Sequence, residues 1–145
     1  PAGVGRMTRF ALSEAAFDPA PLRRRLQSPQ AGAFACFEGW VRDHHAGRAV
    51  TGLRYEAYVA LAEAEGLRII AEASRRFDIA DAACVHRVGD LALGEMAVWV
   101  GVSAAHRGPA FDACRWIIDE VKSRVPIWKR ERYATGATDW LHPDP

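Results

Sequence analysis

The chain has 145 residues, half of them apolar and 26% charged, with a formal net charge of +1. That length suits one domain with a core of its own, so residues 1–145 read as a single unit, with 1–6 standing ahead of its ordered part. A near-neutral balance gives no basic field for nucleic acid, and no apolar run is long enough to cross a bilayer.

The opening PAGVGRMTRF has no apolar signal core. Met7–Leu12 reads as a short first strand. Asp18-Pro19 reads as an N-cap followed by a first-turn proline, opening a helix to about Gln27 that stops at Ser28-Pro29. Arg23, Arg24 and Arg25 form its solvated face. Gly32–Val41 is an apolar, aromatic strand, and Arg42–Gly47 a polar loop. Val50–Tyr58 returns as a strand in which Leu53, Tyr55 and Ala57 alternate with Arg54 and Glu56. Over Val59–Phe77 the spacing predicts a helix with Val59, Ala62, Gly66, Ile69, Ile70, Ala73 and Phe77 on one face. Gly66 costs about 1 kcal/mol there relative to alanine, unless close packing requires it.

Ala82–Val88 is a strand, Asp90–Gly94 a short connection, and Glu95–Ser103 the next strand. Gly108-Pro109 opens a helix that reaches Arg124 and stops before Pro126. Its expected core face is Phe111, Cys114, Ile118, Val121 and Val125, which leaves Trp116 outside, to be covered by the chain or by a partner. Trp128–Tyr133 and Asp139–His142 are expected to pair around Thr135-Gly136. Helices and strands mix without strict βαβ alternation. The fold class is therefore α+β, with a mixed or largely antiparallel sheet and helices on one face.

Cys36, Cys84 and Cys114 form no CxxC pair and lie in apolar runs. All three are expected to be buried free thiols, which fits a reducing, cytoplasmic compartment. His44-His45, His86 and His142 show no metal-ligand spacing, and neither a glycine-rich phosphate loop nor a GxSxG turn is present. Neither a metal nor a cofactor is expected.

The cationic groups are more informative. His106-Arg107 follows an apolar strand and precedes a helix start, a natural place for an anion. Arg42 ends another core strand, where its fork of donors suits phosphate or carboxylate. Lys122 lies about 70° from the centre of its helix's apolar stripe, a boundary position. It reads either as a partly desolvated acid, base or nucleophile or as a lysine whose stem covers core surface. Lys129 follows the proline break, and on its own reads as a surface strand lysine. Together these groups suggest a phosphate-bearing substrate.

Five segments, in order, resemble the large, catalytic subunit family of molybdopterin synthase. They are Phe37-Glu-Gly-Trp-Val-Arg42-Asp43, Gly47-Arg48-Ala-Val50 leading to Leu53-Arg-Tyr55-Glu56-Ala-Tyr58, Val85-His86-Arg87-Val88-Gly89, Ser103-Ala-Ala-His106-Arg107, and Lys122-Ser-Arg-Val-Pro126-Ile-Trp128-Lys129-Arg-Glu131. The resemblance implies an α/β-hammerhead fold with a small antiparallel β subdomain, assembled as a homodimer. It implies a partner on each protomer, a small ubiquitin-like sulfur carrier whose Gly-Gly C-terminus is a thiocarboxylate. The implied substrate is cyclic pyranopterin monophosphate (precursor Z), which receives two sulfurs to become the dithiolene of molybdopterin. Lys122 and Lys129 match the family's active-site lysines, and Phe37, Arg42, His106 and Arg107 its substrate-pocket residues. The chain stops soon after Trp140, so tail contacts of longer relatives are expected to be missing or replaced. Two other functions compete: a non-catalytic module that docks a Gly-Gly tail, and a lysine-dependent enzyme acting on another phosphorylated substrate.

Overall fold

The computed structural model describes residues 8–141. Residues 1–6, Met7 of the expected first strand and His142 of the expected last one lie outside that range. Strands β1 (Phe10–Ser13), β2 (Ala33–Trp40), β5 (Asp81–Arg87) and β7 (Met96–Ala104) form a first sheet in the order β1-β5-β7-β2. Its β1–β5 pair is parallel, and β5–β7 and β7–β2 are antiparallel.

Strand alternation divides the apolar run of β7 between two layers. Val98, Val100, Val102 and Ala104 join the main core beneath helices α2 (Val59–Arg76) and α3 (Arg107–Arg124). Trp99 points the other way, into a smaller core with Leu22 and Leu26 of helix α1 (Ala20–Leu26). The sheet thus has helices on both faces, where one face was expected. Both faces are apolar because both are covered, which is why β7 reads as a continuous run. At the start of α1, the Ala20 N–H donates to the Asp18 carboxylate, one residue ahead of the capping position at Pro19.

Strands β3 (His44–His45), β4 (Arg48–Ala57), β8 (Ile127–Tyr133) and β9 (Thr138–Leu141) form a second, wholly antiparallel sheet, with β6 (Gly89–Ala92) beside β4. Two segments read as connections therefore contain short strands. The polar loop after Arg42 is a hairpin, turned at Ala46-Gly47 with both φ angles positive (52° and 78°), a geometry that matches the twist of the flanking strands. The connection before Glu95 carries β6. Neither has the apolar alternation that marks a strand.

The core differs from the expected list at two helix positions. Val59 is 55% exposed because it opens α2 before the helix reaches the sheet, and Phe111 is 64% exposed. The buried stripe of α3 centres on Ala110, Ala113 and Ile117, whose two alanines let the helix lie close, which places Phe111 about 100° round. Cys84 and Cys114 are buried as expected, but Cys36 is exposed on β2. Trp116 is covered by the chain itself: its ring packs on Phe77 at 5.9 Å, with the Arg76 guanidinium 5.0 Å from its centroid.

Gly66 has a packing reason. A Cβ there would fall 2.0–2.2 Å from the ring of Phe10, which is 1% exposed, so glycine is what lets α2 rest on β1. Gly66→Ala should therefore destabilise the protein by about 1–3 kcal/mol, the usual cost of overpacking, against its gain in helix propensity. Urea denaturation checks this. Combined with Phe10→Leu, the cost should be less than additive, whereas a stabilised single variant would show that the contact does not exist.

Candidate functional site

The two sheets meet where β2 and α3 end and β7 begins, and there they enclose a cleft of about 230 Å³. Strand β2 leaves its register at Gly39/Trp40. Val41 then donates its N–H to the Glu95 carbonyl at 3.0 Å and accepts from Gly94 at 2.9 Å, which fixes the chain just before Arg42. Arg42 lines the cleft from this side. The last turn of α3 brings Lys122. Strand β8 brings Lys129, which sits opposite Tyr55 of β4, two pairs along from Glu131 opposite Leu53. Cross-strand partners point to one face, so register alone gathers Tyr55, Lys129 and Glu131.

Glu131 is the carboxylate in this cationic setting. Its side chain is 6% exposed, with one oxygen 3.9 Å from the Lys129 Nζ. The other accepts from the Tyr133 hydroxyl at 2.9 Å and pairs with the His45 ring at Nδ1. Burial pushes its pKa up, but the hydrogen bonds from His45 and Tyr133 and the charge of Lys129 outweigh burial and hold it below the usual value. It is a fixed anion. Tyr55 is held protonated, its pKa pushed up to about 12 first by burial and then by Glu131. Its ring stands edge-on to His86, centroids 4.8 Å apart. His86 is 3% exposed. With its Nδ1 as the donor to the Arg87 carbonyl at 2.7 Å, it is a neutral imidazole. Burial drives its pKa down to about 4; that hydrogen bond opposes the shift, and the nearby charge of Lys122 adds to it.

The cleft thus gathers three of the six expected site residues, Arg42, Lys122 and Lys129. A fourth, Phe37, borders it from β2: its ring lies 3.4 Å from where a Cβ on Gly39 would stand. His106 and Arg107 are not there. They cap and open α3, exposed, at the end opposite Lys122. Fifteen residues of helix separate Arg107 from Lys122, a span of about 22 Å at 1.5 Å per residue. Residues that bound one helix are close in sequence order but lie a helix length apart. Tyr55, His86, Glu131 and His45 gained no site role from sequence reasoning alone, because the register of β4 on β8, the hairpin of β3 and the contact of His86 on β5 with Tyr55 bring them together. Among the described residues no three His, Cys, Asp or Glu side chains form a metal-holding group. His44 instead pairs with Asp43, and His45 with Glu131. No helix among them is long and apolar enough to cross a membrane.

The chain has relatives among known proteins in both sequence and fold. The family model described as MoaE protein matches residues 12–124, a range that includes Arg42, His106, Arg107 and Lys122 and stops short of Lys129. The chain is 52% identical over 119 residues to the molybdopterin synthase catalytic subunit of Pyrococcus abyssi, covering 82% of this chain and 80% of the relative. It is 45% identical over 133 residues to that of Thermoplasma volcanium, covering 92% and 97%. The crystal structure of molybdopterin synthase from Staphylococcus aureus superposes with a TM-score of 0.88 at 30% identity, covering 94% of this chain and 98% of that one.

Neutral His86 makes stability depend on acid. A folded-state pKa near 4 against an ordinary value of about 6.5 means that the unfolded chain takes up the proton first. The contribution is complete above pH 6.5 and is lost as pH falls toward 4, amounting to about 3 kcal/mol over that window. His86→Gln keeps an amide donor for the Arg87 carbonyl and has no group to titrate. Denaturation between pH 7 and 4 should show a correspondingly shallower loss in this variant, and identical slopes would mean that His86 is not buried in neutral form.

Proposed function

We propose a function from one premise, that the chain belongs to the MoaE protein family: it is the catalytic subunit of a molybdopterin synthase. In this reading it transfers sulfur from the C-terminal thiocarboxylate of a small ubiquitin-like carrier to cyclic pyranopterin monophosphate, forming the dithiolene of molybdopterin. The observation that carries the proposal is the convergence of Arg42, Lys122 and Lys129 in one cleft. The substrate bears a phosphate and the carrier ends in an anion, and a cleft with three cations around one fixed carboxylate suits both. Sulfur attack and departure of the carrier's carboxylate require proton transfers and stabilisation of developing negative charge. A lysine at the mouth of the carrier's tail supplies either. Lys122 is assigned the chemical step. Lys129 is assigned substrate binding together with Arg42 and the aromatic border of Phe37. Glu131 holds the Lys129 ammonium in place and limits repulsion among the three cations.

His106 and Arg107 complete the set only if they come from elsewhere, because their own α3 holds them about 22 Å from Lys122. The proposal therefore includes a homodimer in which one protomer lends His106 and Arg107 to the other's cleft. The reaction takes place in the cytoplasm and asks nothing of nucleic acid or membrane.

Two experiments test this. In single-turnover sulfur transfer with saturating thiocarboxylated carrier, Lys122→Ala should slow the step about a hundredfold or more, the scale of removing a positioned acid, base or charge stabiliser, while folding and carrier binding persist. Transfer at the parent rate would refute the assignment. Lys129→Ala should act more on substrate affinity. Separately, Arg107→Ala and Lys122→Ala should each be strongly impaired at limiting substrate, but their mixture should recover about a quarter of parent activity. A random exchange makes half the dimers mixed, each with one intact cleft of two. No recovery from a mixture that has exchanged subunits would confine the cleft to one chain.

A further inference from the structure

Tyr55 lines the cleft with Arg42, Lys122 and Lys129, and the roles assigned so far leave its hydroxyl unused. The residue is 6% exposed. Its hydroxyl makes no hydrogen bond among the described residues, yet it is not sealed in as Arg87 Nε and Ser103 Oγ are. The polar end of the side chain therefore opens on the cleft. The carboxylate that acts on it does not claim it. One Glu131 oxygen takes the Tyr133 hydroxyl and pairs with His45, and the other faces Lys129. A largely buried hydroxyl without a protein partner costs free energy unless water or a bound molecule meets it. The ring is also fixed in place. Strand β4 is paired on both edges at this residue, with Gly89 of β6 and Lys129 of β8. The ring stands edge-on to buried His86, which in turn feels the charge of Lys122.

We propose that the Tyr55 hydroxyl is a further catalytic group, a neutral hydrogen-bond donor to the carbonyl oxygen at the carrier's C-terminus as the carrier is released. This rests on the sulfur-transfer reading above. Once the thiocarboxylate sulfur is bonded to the substrate, carrier and substrate are joined as a thioester, and parting them takes water. The water oxygen bonds to the carbonyl carbon, the π pair moves onto the carbonyl oxygen, and an oxyanion forms. Its collapse restores the C=O, breaks the carbon–sulfur bond to the carrier and leaves the sulfur, with its electron pair, on the substrate. The carrier departs as a carboxylate, and both protons of the water pass to the medium. Negative charge thus develops on one oxygen, where a donor already in place is most effective. Tyr55 meets that need because it is rigid and has no partner to give up. With its pKa pushed up to about 12, first by burial and then by Glu131, it donates at neutral pH without losing its proton. A fourth cation would add to the repulsion among Arg42, Lys122 and Lys129, whereas a neutral O–H does not.

Tyr55→Phe keeps the ring and its contact with His86 and removes only the O–H. It should fold as the parent does by circular dichroism and bind carrier and substrate within about twofold of the parent. In a single turnover it should release carrier carboxylate about a hundredfold more slowly, the scale for one oxyanion donor. The thioester should then accumulate, visible by mass spectrometry after an acid quench. Tyr55→Leu gives up the ring as well, and should be less stable but no slower than Tyr55→Phe. A rate that falls only in Tyr55→Leu would make Tyr55 a packing residue and overturn the proposal. A Tyr55→Phe rate that falls only in step with substrate affinity, or without build-up of the thioester, would also overturn it. Transfer by the parent with Tyr55→Phe at the same rate would leave the sulfur-transfer reading standing and remove Tyr55 alone. A parent that transfers no sulfur from thiocarboxylated carrier would bring down both.

Discussion

Strand β7 is packed on both faces, and the geometry of the cleft depends on it. Val100 and Val102 are fully buried on one side and Trp99 is 2% exposed on the other. By area, burying the tryptophan alone contributes about 4–6 kcal/mol, an upper figure because the unfolded chain is not fully extended. A strand clamped in this way, with β5 and β2 on its two edges, behaves as a rod. Ala97 and Val98 at its start form part of the cleft wall, and Ala104 at its end leads straight into His106 and Arg107. The same rod holds the two halves of the expected cation set apart within one chain.

Around the cleft, charge is handled in two ways. Glu131 is buried among Lys129, His45 and Tyr133, each of which supports its ionised form. A buried carboxylate without such partners would take up a proton instead of remaining charged. Arg124, two residues beyond Lys122, receives a different treatment. Its guanidinium donates to Glu65 at 2.7 Å, to Glu72 at 2.7 Å and to Glu120 at 3.1 Å, joining the end of α3 to α2. Exposed pairs contribute little singly. Here one planar fork serves three carboxylates, two of them on another helix, and the ordering cost of the arginine is met once for all of them. The turn that presents Lys122 is thereby fixed against α2.

Much of this was legible in the sequence because it depends on local pattern. The spans of β2, β4, β5, β7 and α2 follow from apolar periodicity, and α3 stops before Pro126 as that residue requires. Gathering Arg42 and Lys122 was also within reach, since each stands near the end of a patterned element, whereas Lys129 lies inside β8 and joined them through the resemblance. What escaped depends on pairing. Strands β3 and β6 are too short to show alternation and exist because β4 offers partners. Tyr55 and Glu131 enter the site through cross-strand register, which a single sequence does not specify. Phe111 was misplaced because hydrophobicity ranks phenylalanine above alanine, whereas α3 turns its alanines to the sheet to come close. Cys36 was assigned to the core because an outer strand and an inner one have the same composition.

The relative placement of the two lysines shows how the fold converts packing into chemistry. Lys122 is on a helix and Lys129 on a strand, seven residues later, and a free connection between them would let their ammonium groups wander by several ångströms. The connection is not free. Val125 and Ile127 are 1% and 2% exposed, so the chain is anchored in the core on both sides of Pro126. The Pro126 carbonyl accepts from the Tyr58 N–H at 3.3 Å, tying the turn to the start of α2, and proline removes one backbone torsion from it. Beyond the turn, Lys129 is held in register opposite Tyr55 and beside the fixed Glu131. Electrostatic stabilisation of a transition state is effective when charges need not reorganise as the reaction proceeds. Both lysines meet that condition through buried backbone on each side, so the rigidity required for chemistry comes from apolar residues that never touch a substrate.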